Sequence, residues 1–202
     1  IRRGEVEAQK PQLIKPDGFS EIELEGFDPK VIRVIEHFKE QTQFTNAVIQ
    51  RRSLLPVGII RLALPATSAI PPLTDWPNDL ITEIGQNAHL VGGGYEFDGR
   101  EIAPLDEVAV AEAARSFRCD GIRTAAITSV FSPMNGDMER RAAEIVQNEV
   151  PDIAISLSCE LGQFGLLPRE NSTIINAALS ELSRHVVQAF RRALQELAIN
   201  VP

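Results

Sequence analysis

The chain has 202 residues, and 20 Lys+Arg against 28 Asp+Glu leave it at −8 at pH 7. Hydrophobic residues at 44% with a mean hydropathy of −0.06 describe an ordinary globular composition, not a disordered one. The acidic balance argues against a nucleic-acid partner, because phosphate binding needs clustered Lys and Arg.

No apolar run approaches the roughly 18–20 residues that a membrane helix needs. Two cysteines, Cys119 and Cys159, have no CxxC spacing and make no disulfide framework. No membrane association and a reducing, cytoplasmic location are therefore expected. The chain starts at Ile1, not Met, and stops at Pro202 just past a helical pattern. The expectation is one domain over 1–202, cut from a longer polypeptide.

In chain order, residues 1–26 are polar, contain Pro11, Pro16, Gly18 and Gly26, and read as strand remnants and turns. Val31, Ile32, Val34 and Ile35 begin an apolar pattern that fits strand or helix. Thr45–Arg52 reads as a helix, with Arg51 and Arg52 in the last turn where its dipole favours cations. After Pro56, Val57-Gly58-Ile59-Ile60-Arg61-Leu62 reads as a buried strand. Residues 63–88 hold Pro65, Pro71, Pro72 and Pro77 around Trp76, which denies a regular central element. An ordered loop with a short helix near Asp79–Ile84 is expected there. Ala88–Val91 is then a short strand leading into Gly92-Gly93-Gly94, and Asp98-Gly99 marks a hairpin turn within Tyr95–Ile102.

The second half is more legible. Asp106 is placed to cap a helix that Leu105 and Val110 staple, and Gly121 suits its left-handed end. Ile122–Phe131 reads as a strand buried on both faces, Asp137–Asn148 as a helix stopped by Pro151, and Asp152–Ser158 as another buried strand. That order predicts a parallel crossover. From Pro168 to Ala198, Ile175, Leu179, Leu182, Val186, Phe190, Leu194 and Leu197 recur every three or four residues, as on one face of a single long helix.

Candidate chemistry is sparse. Gly92-Gly93-Gly94 precedes a hairpin, whereas phosphate cradles lead into a helix N-terminus, so a structural turn is the better reading. His37, His89 and His185 are scattered without metal-ligand spacing, and no metal site is expected. Cys159 follows a strand but has no evident base, which favours a small buried apolar role over nucleophilic chemistry. Arg169, Glu170 and Asn171 gather where the last strand gives way to the long helix, at the carboxyl edge of the sheet. They suit either ligand binding or helix capping. Thr42, Thr45 and Asn46 form a similar cluster near an earlier helix start.

Several stretches together resemble the amino-terminal region of the hydantoinase A/5-oxoprolinase family. They are Phe44-Thr45-Asn46-Ala47-Val48 with Arg51-Arg52, Leu64-Pro65-Ala66-Thr67, Asp75-Trp76-Pro77, and Phe97 through Asp106. Ser129-Val130-Phe131-Ser132-Pro133, Ser156 through Glu160, Arg169-Glu170-Asn171 and Asn176-Ala177 continue the match. The similarity runs over roughly residues 28–198.

The resemblance implies an α/β fold with a mixed sheet flanked by helices, part of the first lobe of an actin/sugar-kinase/Hsp70-like protein. It also implies an ATP-dependent enzyme that opens cyclic amides such as hydantoins and 5-oxoproline-like lactams. The shared logic of the family is phosphoryl activation of an amide or enolate oxygen. ATP and Mg²⁺ are expected for the full-length protein and none for this chain alone. A B-type hydantoinase subunit or fused domain is the expected partner, in an oligomer. Residue by residue, the resemblance leaves Thr42, Thr45, Asn46, Arg169, Glu170 and Asn171 as nucleotide- or substrate-lining positions. Two departures stand out: the family's opening Asp-x-Gly-Gly-Thr loop is absent, and Glu40-Gln41-Thr42 replaces Gly-Thr-Thr. The alternatives are a non-catalytic assembly subunit, since Glu in place of Gly blocks close backbone approach, and a subunit of an ATP-dependent ketone carboxylase.

Overall fold

The computed structural model of the chain describes residues 47–48, 53–161 and 165–196. Four strands form one sheet: β1 (Val57–Leu64), β2 (Ala88–Gly92), β3 (Thr124–Ser129) and β4 (Ala154–Leu157). Their spatial order is β2-β1-β3-β4 and every pairing is parallel. Five helices follow the strands: α1 (Asn78–Ile84), α2 (Glu107–Cys119), α3 (Asp137–Glu149), α4 (Leu166–Ala178) and α5 (Ser180–Glu196). No helix among the described residues is long and apolar enough to cross a membrane.

The α/β class and the flanked sheet agree with the sequence reading. All four strands pair in parallel, and the antiparallel pairing among the described residues is an isolated bridge between Tyr95 and Glu101 outside the sheet. This bridge is the Asp98-Gly99 turn, closed by the Glu96 N–H donating to the Arg100 carbonyl at 2.7 Å.

Alternation along the two central strands divides the core into two layers. Ile60, Leu62, Ala125 and Ile127 face α2 and α3, where they meet Val110, Phe117, Ala142 and Val146. Val57, Ile59 and Ala126 face the other way, against Ile84 of α1 and Ile174 and Ala177 of α4. Burial on both faces explains why β1 is apolar but for Arg61, and why β3, though it carries Thr124, Thr128 and Ser129, is buried along its whole length. Each fully buried Leu or Ile side chain contributes about 1.5–3 kcal/mol.

Local signals set the helix ends. The Asp106 carboxylate accepts the Ala109 N–H at 3.0 Å and starts α2. At its other end Gly121 has φ +68°, the Gly121 N–H donates to the Arg118 carbonyl and the Ile122 N–H to that of Phe117. This is the paired closure that a left-handed residue permits. Ile122 and Phe117, thus brought together, belong to the same apolar cluster.

Two elements differ from the sequence reading. Among the described residues β4 is an outer strand of the sheet and is half-buried throughout, where a buried strand is expected from the sequence. The single long helix is two, because Leu179 interrupts it. The Ala178 carbonyl accepts the Leu55 N–H at 3.0 Å. In an unbroken helix that oxygen would serve Leu182. A backbone amide from the approach to β1 takes its place, one of the recognised causes of a helix break.

Gly58 in β1 is required by space. A Cβ there would lie 2.6 Å from the ring of Phe117, which is fully buried and cannot swing away. Gly58→Ala is expected to cost about 1–3 kcal/mol by overpacking, read as a lower urea midpoint. In a Phe117→Leu background the same substitution should cost clearly less, and equal penalties in both backgrounds would disprove the steric account.

Candidate functional site

In parallel α/β sheets the strand carboxyl ends converge with the following helix N-termini, and functional groups gather there. In this chain that edge is occupied by a buried polar cluster. Arg61, Glu139, Ser158, Arg169 and Glu170 are each at most 1% exposed.

Arg61 lies near the end of β1 on the α4 side. Its Nε donates to Glu170 Oε1 at 2.7 Å, its second terminal nitrogen donates to Glu170 Oε2, and its other to the Ile70 carbonyl. The pair is a two-point guanidinium–carboxylate contact between a strand and a helix 109 residues apart in sequence.

Arg169, one residue before Glu170, turns to the other side of α4's first turns. Its Nε donates to Ser158 Oγ at 3.0 Å and one terminal nitrogen to the Ser129 carbonyl at 2.6 Å, at the end of β3. Glu139 comes from the first turn of α3, where the helix dipole favours an acid. Its carboxylate accepts the Ser129 N–H at 2.7 Å, the Ser158 hydroxyl at 2.6 Å and the Cys159 N–H at 2.8 Å. Ser158 has one proton and gives it to Glu139. It therefore accepts from Arg169 and, at 3.0 Å, from the hydroxyl of Ser132.

The electrostatics follow from burial. Desolvation holds the Arg169 pKa below its ordinary value, opposed by the negative charge of Glu139. The Cys159 thiol is pushed up to about 12, chiefly by burial and then by the Glu139 carboxylate beside it. A thiol so raised is protonated at neutral pH, which agrees with the inert reading of this cysteine.

Of the sequence-derived site residues, Thr42, Thr45 and Asn46 lie outside the described residues. Arg169 and Glu170 sit at the carboxyl edge as expected, and both are bonded to protein groups. Asn171 accepts the Trp76 indole N–H through Oδ1 at 2.9 Å, tying α4 to the proline-rich loop. Arg61, Glu139 and Ser158 escaped the sequence reading. Arg61 did carry a signal, since an arginine inside an apolar buried strand must meet a carboxylate. Glu139 carried none, because an acid in a first helical turn is ordinary.

No group of three or more His, Cys, Asp or Glu able to hold a metal occurs among the described residues. The Gly94 N–H, which a phosphate cradle would need free, donates to Met138 Sδ at 3.1 Å. Gly94 is required for another reason: at φ +94° a Cβ would stand 2.8 Å from the Leu62 carbonyl. At Gly94, then, the turn offers no free amide to a phosphate.

Residues 26–150 match the family model described as the hydantoinase/oxoprolinase N-terminal region. The chain belongs to that family. It is 31% identical over 113 residues to caprolactamase subunit alpha of Pseudomonas jessenii, a match covering 55% of this chain and 16% of that protein. The crystal structure of ATP-dependent caprolactamase from Pseudomonas jessenii superposes with a TM-score of 0.60 at 22% identity, over 79% of this chain and 25% of that one. The nucleotide-free structure of acetone carboxylase gives a TM-score of 0.61 at 20% identity, over 76% and 24%. These two superpositions show the shared fold. The chain thus spans about a quarter or less of the relatives it matches.

Three outcomes are expected. Glu139→Gln places an amide donor opposite N–H groups and removes the negative charge that offsets the desolvation of Arg169, so it should cost about 3–5 kcal/mol in urea denaturation. Replacing Arg61 and Glu170 together by Met should cost less than either single replacement. The thiol of Cys159 should be alkylated at pH 8 roughly ten- to a hundredfold more slowly in the folded chain than in the urea-unfolded chain. The lower thiolate fraction is only partly offset by higher intrinsic nucleophilicity. Peptide mass spectrometry reads the result, and equal rates would contradict the burial argument.

Proposed function

We propose that the protein works in an ATP-dependent enzyme that opens cyclic amides of the lactam or hydantoin type, alongside a second subunit. The observation that carries this reading is the 31% identity to caprolactamase subunit alpha, within a family match over residues 26–150. The likeness to acetone carboxylase is one of fold, so ketone carboxylation has less support.

A ring amide is a poor electrophile, and ATP supplies the phosphoryl group that makes such a reaction favourable. The contribution of the described residues is architectural. The buried cluster holds the carboxyl ends of β1, β3 and β4 and the starts of α3 and α4 in one arrangement. A lobe so fixed presents an unchanging wall, and small displacements of positioned groups are costly to catalysis. Arg169, Glu170 and Asn171 support that wall, and Thr42, Thr45 and Asn46 are proposed as the positions nearer ligand.

The test is to combine the full-length protein, its second subunit, ATP and Mg²⁺ with a panel of lactams, hydantoins and 5-oxoproline. Substrate-dependent phosphate release together with the ring-opened amino acid is the expected result. Phosphate release that depends instead on a ketone and bicarbonate would overturn the reading in favour of carboxylation.

A further inference from the structure

Six of the seven large apolar side chains that the described residues leave exposed follow the carboxyl ends of the strands. Ile70 follows β1, Phe97 and Val108 follow β2, Met134 follows β3, and Leu161 and Leu167 follow β4. Val187 on α5 is the exception. Each of the six lies in a connection leaving a strand's carboxyl end, or in the first helical turn after it.

Adjacent strands are spaced by about 4.8 Å, so the four connections are rooted within about 15 Å of one another. Phe97, at the tip of the Tyr95–Glu101 turn, is 71% exposed and Met134 is 59% exposed. Scattered surface leucines need no explanation. Apolar side chains gathered along one edge are the mark of an interaction surface.

The charge on the same edge selects the occupant. Asp75, Glu96, Glu101 and Glu160 are exposed there with no ion pair among the described residues. The exposed Arg100 and Arg140 are already paired with Asp98 and Asp137. A second copy would bring the same acidic edge and a net charge of −8, which opposes self-association. Beneath the surface, Arg61 and Arg169 are committed to Glu170, Ser158 and the Ser129 carbonyl. What matches an apolar centre with an acidic border is a protein surface with an apolar centre and a border of lysine and arginine.

We propose that the carboxyl edge of the sheet is the face on which the second subunit of the enzyme docks, through an apolar patch edged by lysine and arginine. This rests on the multi-subunit reading given under Proposed function.

The experiment titrates the full-length protein with its B-type subunit by calorimetry at low and high salt. The unsubstituted chain is compared with Phe97→Ser/Met134→Ser, with Glu96→Lys/Glu101→Lys, and with Val187→Ser as a control away from the edge. Equal thermal midpoints establish that all four are folded. The apolar double variant is expected to weaken association by about tenfold or more. Charge reversal should weaken it mainly by slowing association, as added salt should for the unsubstituted complex. Val187→Ser should leave it unchanged.

Unchanged affinity in both edge variants, equal weakening by Val187→Ser, or no complex between the unsubstituted proteins each overturns the docking face. Lactam-dependent phosphate release in the same preparation separates the two ideas. Turnover with edge-independent assembly retains the reaction and discards the face. Edge-dependent assembly without lactam turnover does the reverse.

Discussion

A charge taken out of water must find its counter-charge in the interior, and this chain places two arginines there. Arg61 and Arg169 are each at most 1% exposed and are answered by Glu170, by Ser158 and by carbonyl groups at strand ends. Such contacts add little net stability, since desolvation offsets most of the attraction, but breaking one side of them is expensive. Their effect is therefore on arrangement. They fix where α4 starts, how α3 meets the end of β3, and where the 3-10 turn Ser158–Glu160 lies after β4.

The same constraint explains the contrast between the inside and outside of the carboxyl edge. Inside, the Glu139 carboxylate has three donors and the Ser158 hydroxyl serves three partners, so the polar groups are committed to one another. Outside, Phe97 and Met134 stand in solvent among acidic residues. A committed polar floor thus lies beneath an apolar, negatively charged rim. The chain belongs to the hydantoinase/oxoprolinase N-terminal-region family, and the curated relative it matches is several times longer.

Much of the fold was legible residue by residue, because the deciding physics is local. Asp106 caps α2 and Gly121 closes it in the left-handed conformation, as the spacing of those residues implies. Asp98-Gly99 makes its turn, and β1, apolar but for Arg61, is covered on both sides as its sequence implies. Less of the cluster at the carboxyl edge was legible. Arg169 and Glu170 were marked by their position after the last strand, but Glu139 looks like any acid in a first helical turn.

By itself, then, the sequence determined the α/β class, the order of elements from β1 onward, the main helix caps and the family, since each rests on neighbours a few positions apart or on a shared pattern. Only the tertiary structure decided that β4 is the outer strand among the described residues, that the Leu55 amide divides the C-terminal helix at Leu179, and that Arg61 and Glu170 are partners. The reason is physical: those outcomes depend on which segments meet in space, and residues separated by 109 positions carry no local trace of one another.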